Sequence, residues 1–163
     1  MPINPLSPIK KLMETLPQAG RVEWIGIRPK RDAPIIEKES VQVSFDGGLA
    51  GDRFSGGKGS KRQVTLIQAE HLEAVASMMH LEEVEPSLLR RNIVVSGVNL
   101  LALKDKTFRV GDVTLKHTGP CQPCSKMERN LGPGGYNAMR GHGGITATVI
   151  EEGTIKIGDP VYV

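Results

Sequence analysis

The chain has 163 residues, 39% of them hydrophobic, and its 21 Lys+Arg against 18 Asp+Glu leave a formal net charge of +3. That length suits one domain that buries its core without a metal or disulfide staple. Three Phe, two Tyr and one Trp are too few for a base-stacking surface, and the longest apolar run, "IVVSGVNLLAL", is too short to span a bilayer. No apolar signal region follows the first charges, so a cytoplasmic protein with neither membrane nor nucleic-acid partners is expected.

In chain order, "SPIKKLMETL" predicts a short helix with Ser7 as N-cap and Pro8 in the first turn, presenting Ile9, Leu12, Met13 and Leu16 on one side and ending before Pro17. Residues 1–17 thus read as a helical extension, and residues 21–163 as the body of a single domain. The pattern then turns to short β-type runs bounded by Gly, Pro, Asp or Asn: "RVEWIGIRP", "SVQVSF", "QVTLI", "NIVVSG", "TFRVGDVTLKHTG", "GGITATVIEEG" and "TIKIGDPVYV". One clear helix interrupts them, "IQAEHLEAVASMMHL", with Ile67, Leu72, Val75, Ala76 and Met79 on a shared face, and "EPSLLRRN" adds a short turn. The pairs Gly111-Asp112 and Gly158-Asp159 read as hairpin corners. The expected fold is mainly β, a closed antiparallel barrel with a few short peripheral helices, because closure removes exposed strand edges.

The only two cysteines, Cys121 and Cys124, lie in "HTGPCQPCSKMERNLGPGGYNAMRGHGGIT". Several chemistries use such a pair. A zinc deaminase joins H-x-E to P-C-x-x-C, and His71-Leu72-Glu73 with "PCQPC" matches both halves; the separation and the helical setting of His71 make this a remote alternative. A redox dithiol wants a βαβ neighbourhood, which the strand pattern does not supply. Structural zinc wants four ligands, with His117 or His142 the nearest histidines. None of these explains the surrounding glycines and cations. A soft thiolate completing a metal whose other sulfurs come from an organic cofactor does, since that cofactor's phosphate and heterocycle need backbone donors and a few Arg or Lys groups. The basic clusters at Arg28 to Arg31, Lys58 to Arg62 and Arg90-Arg91 fit such a compact anion.

From "IGIRPKRDAPIIEKESVQV" and "GGLAGDRF" through "RQVTLIQAEHLEAV", "RRNIVVSGVNLLAL" and "FRVGDVTL" to "CQPCSKME" and "ITATVIEEGTIKIGD", the chain resembles the MOSC domain family. That family is named for the C-terminal domain of molybdenum cofactor sulfurases, and includes relatives of bacterial N-hydroxylated base-analogue reductases and of the mitochondrial amidoxime-reducing component. The resemblance implies a β-barrel that binds the molybdenum cofactor, molybdopterin with Mo, through one cysteine. Pro123-Cys124-Ser125-Lys126-Met127 matches the family's ligand segment, making Cys124 the metal ligand and catalytic residue, and Cys121 a secondary candidate. Arg90 and Asn92 match the family's R-P-N-I, with Arg91 in place of the proline. Gly51-Asp52-Arg53 supplies Arg53 as a cofactor contact and Asp52 as a turn former. Lys30, Arg31, Lys126, Arg140, Gly143 and Gly144 complete the expected cofactor set, with His117 and His142 secondary.

The implied activity is reduction of N-hydroxylated compounds (hydroxylamino purines, amidoximes, hydroxamates) to the N–H form. A chain of 163 residues leaves no room for a flavin or haem domain, so a separate electron donor, a flavin reductase or similar, is expected. Pyridoxal phosphate is not expected. The alternative from another class is a sulfur carrier holding a persulfide on Cys124, with Cys121 as resolving thiol and a cofactor-biosynthesis protein as partner.

Overall fold

The computed structural model describes residues 7–53 and 56–163. Residues 1–6 of the expected N-terminal extension, and Phe54 of "GDRF", lie outside them. The elements begin with helix α1 (Pro8–Glu14), strands β1 (Gly20–Ile27), β2 (Ile36–Lys38), β3 (Ser40–Ser44), β4 (Gly48–Leu49) and β5 (Val64–Gln68), and helix α2 (Ala69–Met79). They continue with β6 (Ile93–Ser96), β7 (Thr107–Val110), β8 (Val113–Pro120), helices α3 (Ser125–Leu131) and α4 (Gly135–Met139), and strands β9 (Ile145–Glu151), β10 (Gly153–Lys156) and β11 (Pro160–Tyr162).

Seven strands close into a barrel, β1-β11-β7-β8-β9-β5-β6 and back to β1, with β2 paired to the free part of β1 and a separate sheet β10-β3-β4 alongside. All ring pairings are antiparallel except β5 with β6. The barrel is therefore mainly β and closed as the sequence predicts, but mixed. Parallel neighbours cannot be joined by a tight turn, and α2 makes the crossover. This is a βαβ unit that the strand pattern alone did not reveal, because residues 80–92 with their 3₁₀ turn (Pro86–Leu89) separate α2 from β6. The cysteines lie after β8 and outside that unit.

The interior holds Val22, Ile25, Leu66, Ile93, Val95, Phe108, Leu115 and Ala147 in one buried cluster. Strand β6 is buried on both faces: Ile93 and Val95 point to that cluster, while Val94 joins a second one with Leu72, Val75 and Ala76 of α2, Leu89, Met127 and Met139. The predicted apolar face of α2 is thus seated, and Ile67 reaches the same cluster from β5. Met127 of α3 and Met139 of α4 pin the segment after the cysteines to it.

Helix α1 starts as predicted, the Ser7 hydroxyl accepting the Ile9 N–H at 3.2 Å. Its apolar residues do not pack: Ile9, Leu12 and Met13 are 61%, 73% and 50% exposed. Leu16, beyond the helix, is the residue that reaches the barrel core. Gly111-Asp112 forms the β7–β8 corner, Gly111 having φ +57°.

Gly144 has φ +85°, and a Cβ there would lie 1.9 Å from the Leu66 carbonyl oxygen. Gly141 has φ +80° with nothing among the described residues within 4 Å. Gly141→Ala should therefore lose about 1 kcal/mol, the backbone penalty alone, and Gly144→Ala should lose at least twice that. Urea denaturation of the two variants checks the ranking.

Candidate functional site

Four connecting segments meet in a cleft of about 440 Å³: the one after β1, the one between β4 and β5, the one before β6 and the one after β8. Its volume is within the roughly 300–1,000 Å³ typical of small-molecule sites. Six cationic side chains, Arg28, Arg53, Arg62, Arg90, Arg91 and Lys126, line it with a single carboxylate, Asp52. A chain with a net charge of only +3 has six of its 21 Lys and Arg residues at one place, which attracts anions.

The segments are fixed by hydrogen bonds that sequence patterning does not announce. The Asp52 carboxylate accepts the Arg28 N–H at 2.7 Å, and the Arg53 N–H donates to the Arg28 carbonyl at 2.7 Å. Asn92 joins three strands: its Oδ1 accepts the Thr65 N–H at 3.2 Å, its Nδ2 donates to Gly26 O at 3.2 Å, and its own N–H donates to Thr65 Oγ1 at 3.0 Å. Gln63 is 1% exposed, accepts from Thr148 Oγ1 and the Val149 N–H, and donates to the Phe45 and Gly57 carbonyls. It thereby anchors the chain leading to Arg62.

The two adjacent arginines do different things. Arg90 takes the left-handed conformation, φ +58°, at the end of the 3₁₀ turn, which for a non-glycine residue costs about 1 kcal/mol. Arg91 then turns inward, 6% exposed, and its guanidinium donates to the carbonyls of Gly143 at 2.7 Å, Leu89 at 2.9 Å and Cys121 at 3.2 Å. Burial lowers its pKa, opposed by the two nearby cysteines. Arg90 lines the cleft with Nε and Nη2 buried and unpartnered, and Arg28 has an equally unpartnered Nε. Burial, followed by the Arg90 charge, pushes the Arg28 guanidinium below its ordinary pKa.

Both cysteines are free and both line the cleft. Cys121 is 2% exposed, directly after β8, its N–H donating to Gly144 O at 2.9 Å and its sulfur 3.8 Å from Arg62 Nη2. Cys124 is exposed and is the residue preceding α3. Lys126 pairs with Asp32 at 3.4 Å, and that contact is the main cause holding the Asp32 carboxyl below its ordinary pKa.

The cleft brings together Cys124, Cys121, Arg90, Asn92, Arg53, Asp52 and Lys126. Lys30, Arg31 and Arg140 are exposed and outside its lining, Arg31 lying 4.0 Å from Asp32 and Arg140 donating to Asn137 Oδ1 at 3.4 Å. Gly143 and Gly144, with His117 and His142, line a neighbouring chamber of about 610 Å³ that shares Cys121 and Gln122 with the cleft. Gly143 permits close approach: a Cβ would lie 2.1 Å from Cys121 O. Arg28 and Arg62, read from the sequence only as members of basic clusters, belong to the cleft, as do Thr65 and Gln122, which were not singled out there. The signal for Arg28 was its place at the end of β1, one residue beyond Ile27, whereas Lys30 and Arg31 lie in the exposed turn that follows.

The zinc alternatives lack their donors. His71 lines the chamber, while Glu73 lines a third groove with Glu82 and Glu83. Among the described residues no three His, Cys, Asp or Glu side chains converge to hold a metal ion. Two free sulfurs, Cys121 buried and Cys124 exposed, remain on a cationic cleft.

The chain matches the family model described as MOSC domain over residues 51–162. Among solved structures it is similar to the YuaD protein from Bacillus subtilis, with TM-score 0.77 and 19% identity over 90% of this chain and 97% of that one. It is also similar to YiiM from Escherichia coli, with TM-score 0.67 and 20% identity over 87% and 68%. YiiM from Geobacillus stearothermophilus gives TM-score 0.65 and 18% identity over 88% and 74%. At these identities the likeness is one of fold. No curated protein matches. No helix among the described residues is long and apolar enough to cross a membrane.

Arg91→Ala would leave three carbonyls without their donor, at about 1–3 kcal/mol for each buried group, so a loss of at least about 3 kcal/mol is expected. Arg90→Ala, which removes no hydrogen bond, should stay within about 1 kcal/mol of the parent. Urea midpoints decide; equal losses would contradict the division between clamp and cleft.

Proposed function

The chain belongs to the MOSC domain family, and on that premise we propose that the arginine-lined cleft binds a molybdenum-pterin cofactor and that the protein reduces N-hydroxylated compounds to the N–H form. The observation that carries this reading is one accessible thiol, Cys124, in a cleft where Arg28 and Arg90 keep buried, unpartnered guanidinium nitrogens. Unpaired buried donors are rare in native structures, and charge-assisted bonds to phosphate or to a pterin carbonyl would satisfy them. The donor chemistry fits as well: a thiolate is the soft ligand that a molybdenum centre with sulfur-rich coordination takes from protein.

Each residue then has a definable task. Cys124 supplies the protein sulfur. Arg28 and Arg90 hold the anionic and polar parts of the cofactor, with Arg53, Arg62 and Lys126 adding positive charge around them. Asp52 Oδ1 and the Asn92 amide bond to backbone groups of neighbouring segments, so they act by fixing the segments that carry Arg28 and Arg90. Arg91 holds the cysteine segment in place from beneath. When bound, the cofactor supplies two-electron cleavage of the N–O bond: R–NH–OH with two electrons and two protons gives R–NH₂ and water. The electrons come from a separate donor protein, for which a flavin reductase is the simplest class.

Two free thiols on one cleft also support a second reading, a sulfur carrier in which Cys124 holds a persulfide, Cys121 resolves it and a cofactor-assembly protein is the partner. The cysteines distinguish the two. Reduction needs Cys124 alone, so Cys124→Ser should abolish N-hydroxyl reduction with an artificial electron donor. Cys121→Ser should keep a measurable part, since perturbing a metal ligand's surroundings typically costs about 10- to 100-fold. Complete and equal loss in both variants, with circular dichroism unchanged, would point to chemistry that uses the pair.

A further inference from the structure

The chamber beside the cleft differs from it in chemistry. Leu100, Leu101, Pro120 and Ile145 give it an apolar body, and no carboxylate lines it among the described residues. Lys104 lines it from an exposed position and has no ion-pair partner among the described residues. Three of the four histidines of the chain are in its wall.

Their protonation follows from their partners. His117 Nδ1 accepts the Asp105 N–H at 3.3 Å, so in the neutral ring Nε2 carries the proton and donates. His142 Nδ1 is 3.2 Å from Ala138 O; a carbonyl only accepts, so the tautomer this contact fits has the proton on Nδ1. Burial lowers the pKa of both His71 and His117, with Asp105 opposing the effect at His117 and Glu70 opposing it at His71. The rings of His71 and His142 meet edge to face, centroids 4.9 Å apart and planes at 85°, an aromatic surface that a further ring can extend. His71 Nδ1 is buried with no hydrogen-bond partner. An apolar chamber with a few convergent polar groups, one of them unsatisfied, is the form of a small-molecule site.

We propose that this chamber is a second ligand site, separate from the arginine-lined cleft, and that it takes an aryl or heteroaryl carboxylate whose ring lies on the apolar wall and whose carboxylate is held by Lys104 and the donor imidazole of His117. The absence of any lining carboxylate and the unpaired lysine favour an anion over a cation. The extent of apolar wall favours a ring over a small inorganic ion, which the cleft suits better.

The test uses the isolated protein and indole-3-carboxylate, following the ring resonances of the four histidines by NMR. His71, His117 and His142 should shift along one saturable curve, and His80, which terminates α2 with φ +57°, should not. Indole-3-carboxamide, the same ring without the charge, should bind at least about fivefold more weakly. Lys104→Glu should weaken the acid about tenfold or more, the equivalent of losing one charge-assisted bond. The double variant Arg53→Gln/Arg62→Gln, in the cleft, should leave its affinity unchanged. The proposal is overturned by shifts that do not saturate, by equal movement of His80, or by equal binding of acid and amide. It is also overturned if the cleft variant, and not Lys104→Glu, weakens the acid. No outcome depends on the cofactor, so the site stands or falls independently of the reductase reading.

Discussion

The Arg91 guanidinium donates to Leu89 O, Cys121 O and Gly143 O from a position 6% exposed to solvent, and through those bonds it holds three separate segments to one point. Leu89 belongs to the 3₁₀ turn, Cys121 to the segment directly after β8 and Gly143 to the approach to β9. A buried charge is tolerated only where its hydrogen bonds are made, so the carbonyls and the arginine require one another. The two glycines complete the fit: no side chain could sit at Gly143 or Gly144 without meeting Cys121 O or Leu66 O. Gly143 and Gly144, which the sequence pattern offered as cofactor contacts, are sites of close backbone packing.

With that point fixed, the space on either side of Cys121 and Gln122 divides by chemistry. One side gathers arginines and the accessible Cys124; the other gathers imidazoles and aliphatic side chains. The left-handed turn at Arg90 sends consecutive arginines to different work, one into the packed interior and one to the cleft. Backbone strain of this kind tends to be found where a site needs it. Excess positive charge in the cleft opposes itself unless an anion is present, which is the electrostatic reason for expecting a ligand there.

Much of the barrel was legible in the sequence because its signals are local. Alternating apolar residues with the Gly111-Asp112 corner placed β7 and β8, and the apolar spacing from Leu72 to Ala76 placed α2; Gly158-Asp159 is a turn between β10 and β11, which lie in different sheets, and not the hairpin corner expected. Parallel pairing of β5 with β6 was not legible, because register between distant strands leaves no mark on either. The apolar face of α1 was legible as a pattern but misleading as a packing statement: Ile9, Leu12 and Met13 face solvent, and spacing says nothing about whether a surface exists to receive it. At the site, the cysteines, Arg90, Asn92 and Arg53 stood out through their motifs. Arg28 and Arg62 were visible only as members of basic clusters, and the clamp of Arg91 was not visible at all, since burial and partner choice are decided by segments that the local pattern does not reach. Lys30 and Arg31 looked equivalent to Arg28 in a basic run, and only the end of β1 separates them.

The central claim is that this cleft is built for a molybdenum-pterin cofactor held by one protein sulfur. Metal and pterin analysis of the protein purified from cells that make the cofactor tests it most directly. The account predicts molybdenum and molybdopterin each near one per chain, with little zinc. Stoichiometric zinc without pterin fluorescence, or a chain that carries neither molybdenum nor pterin from such cells, would contradict it.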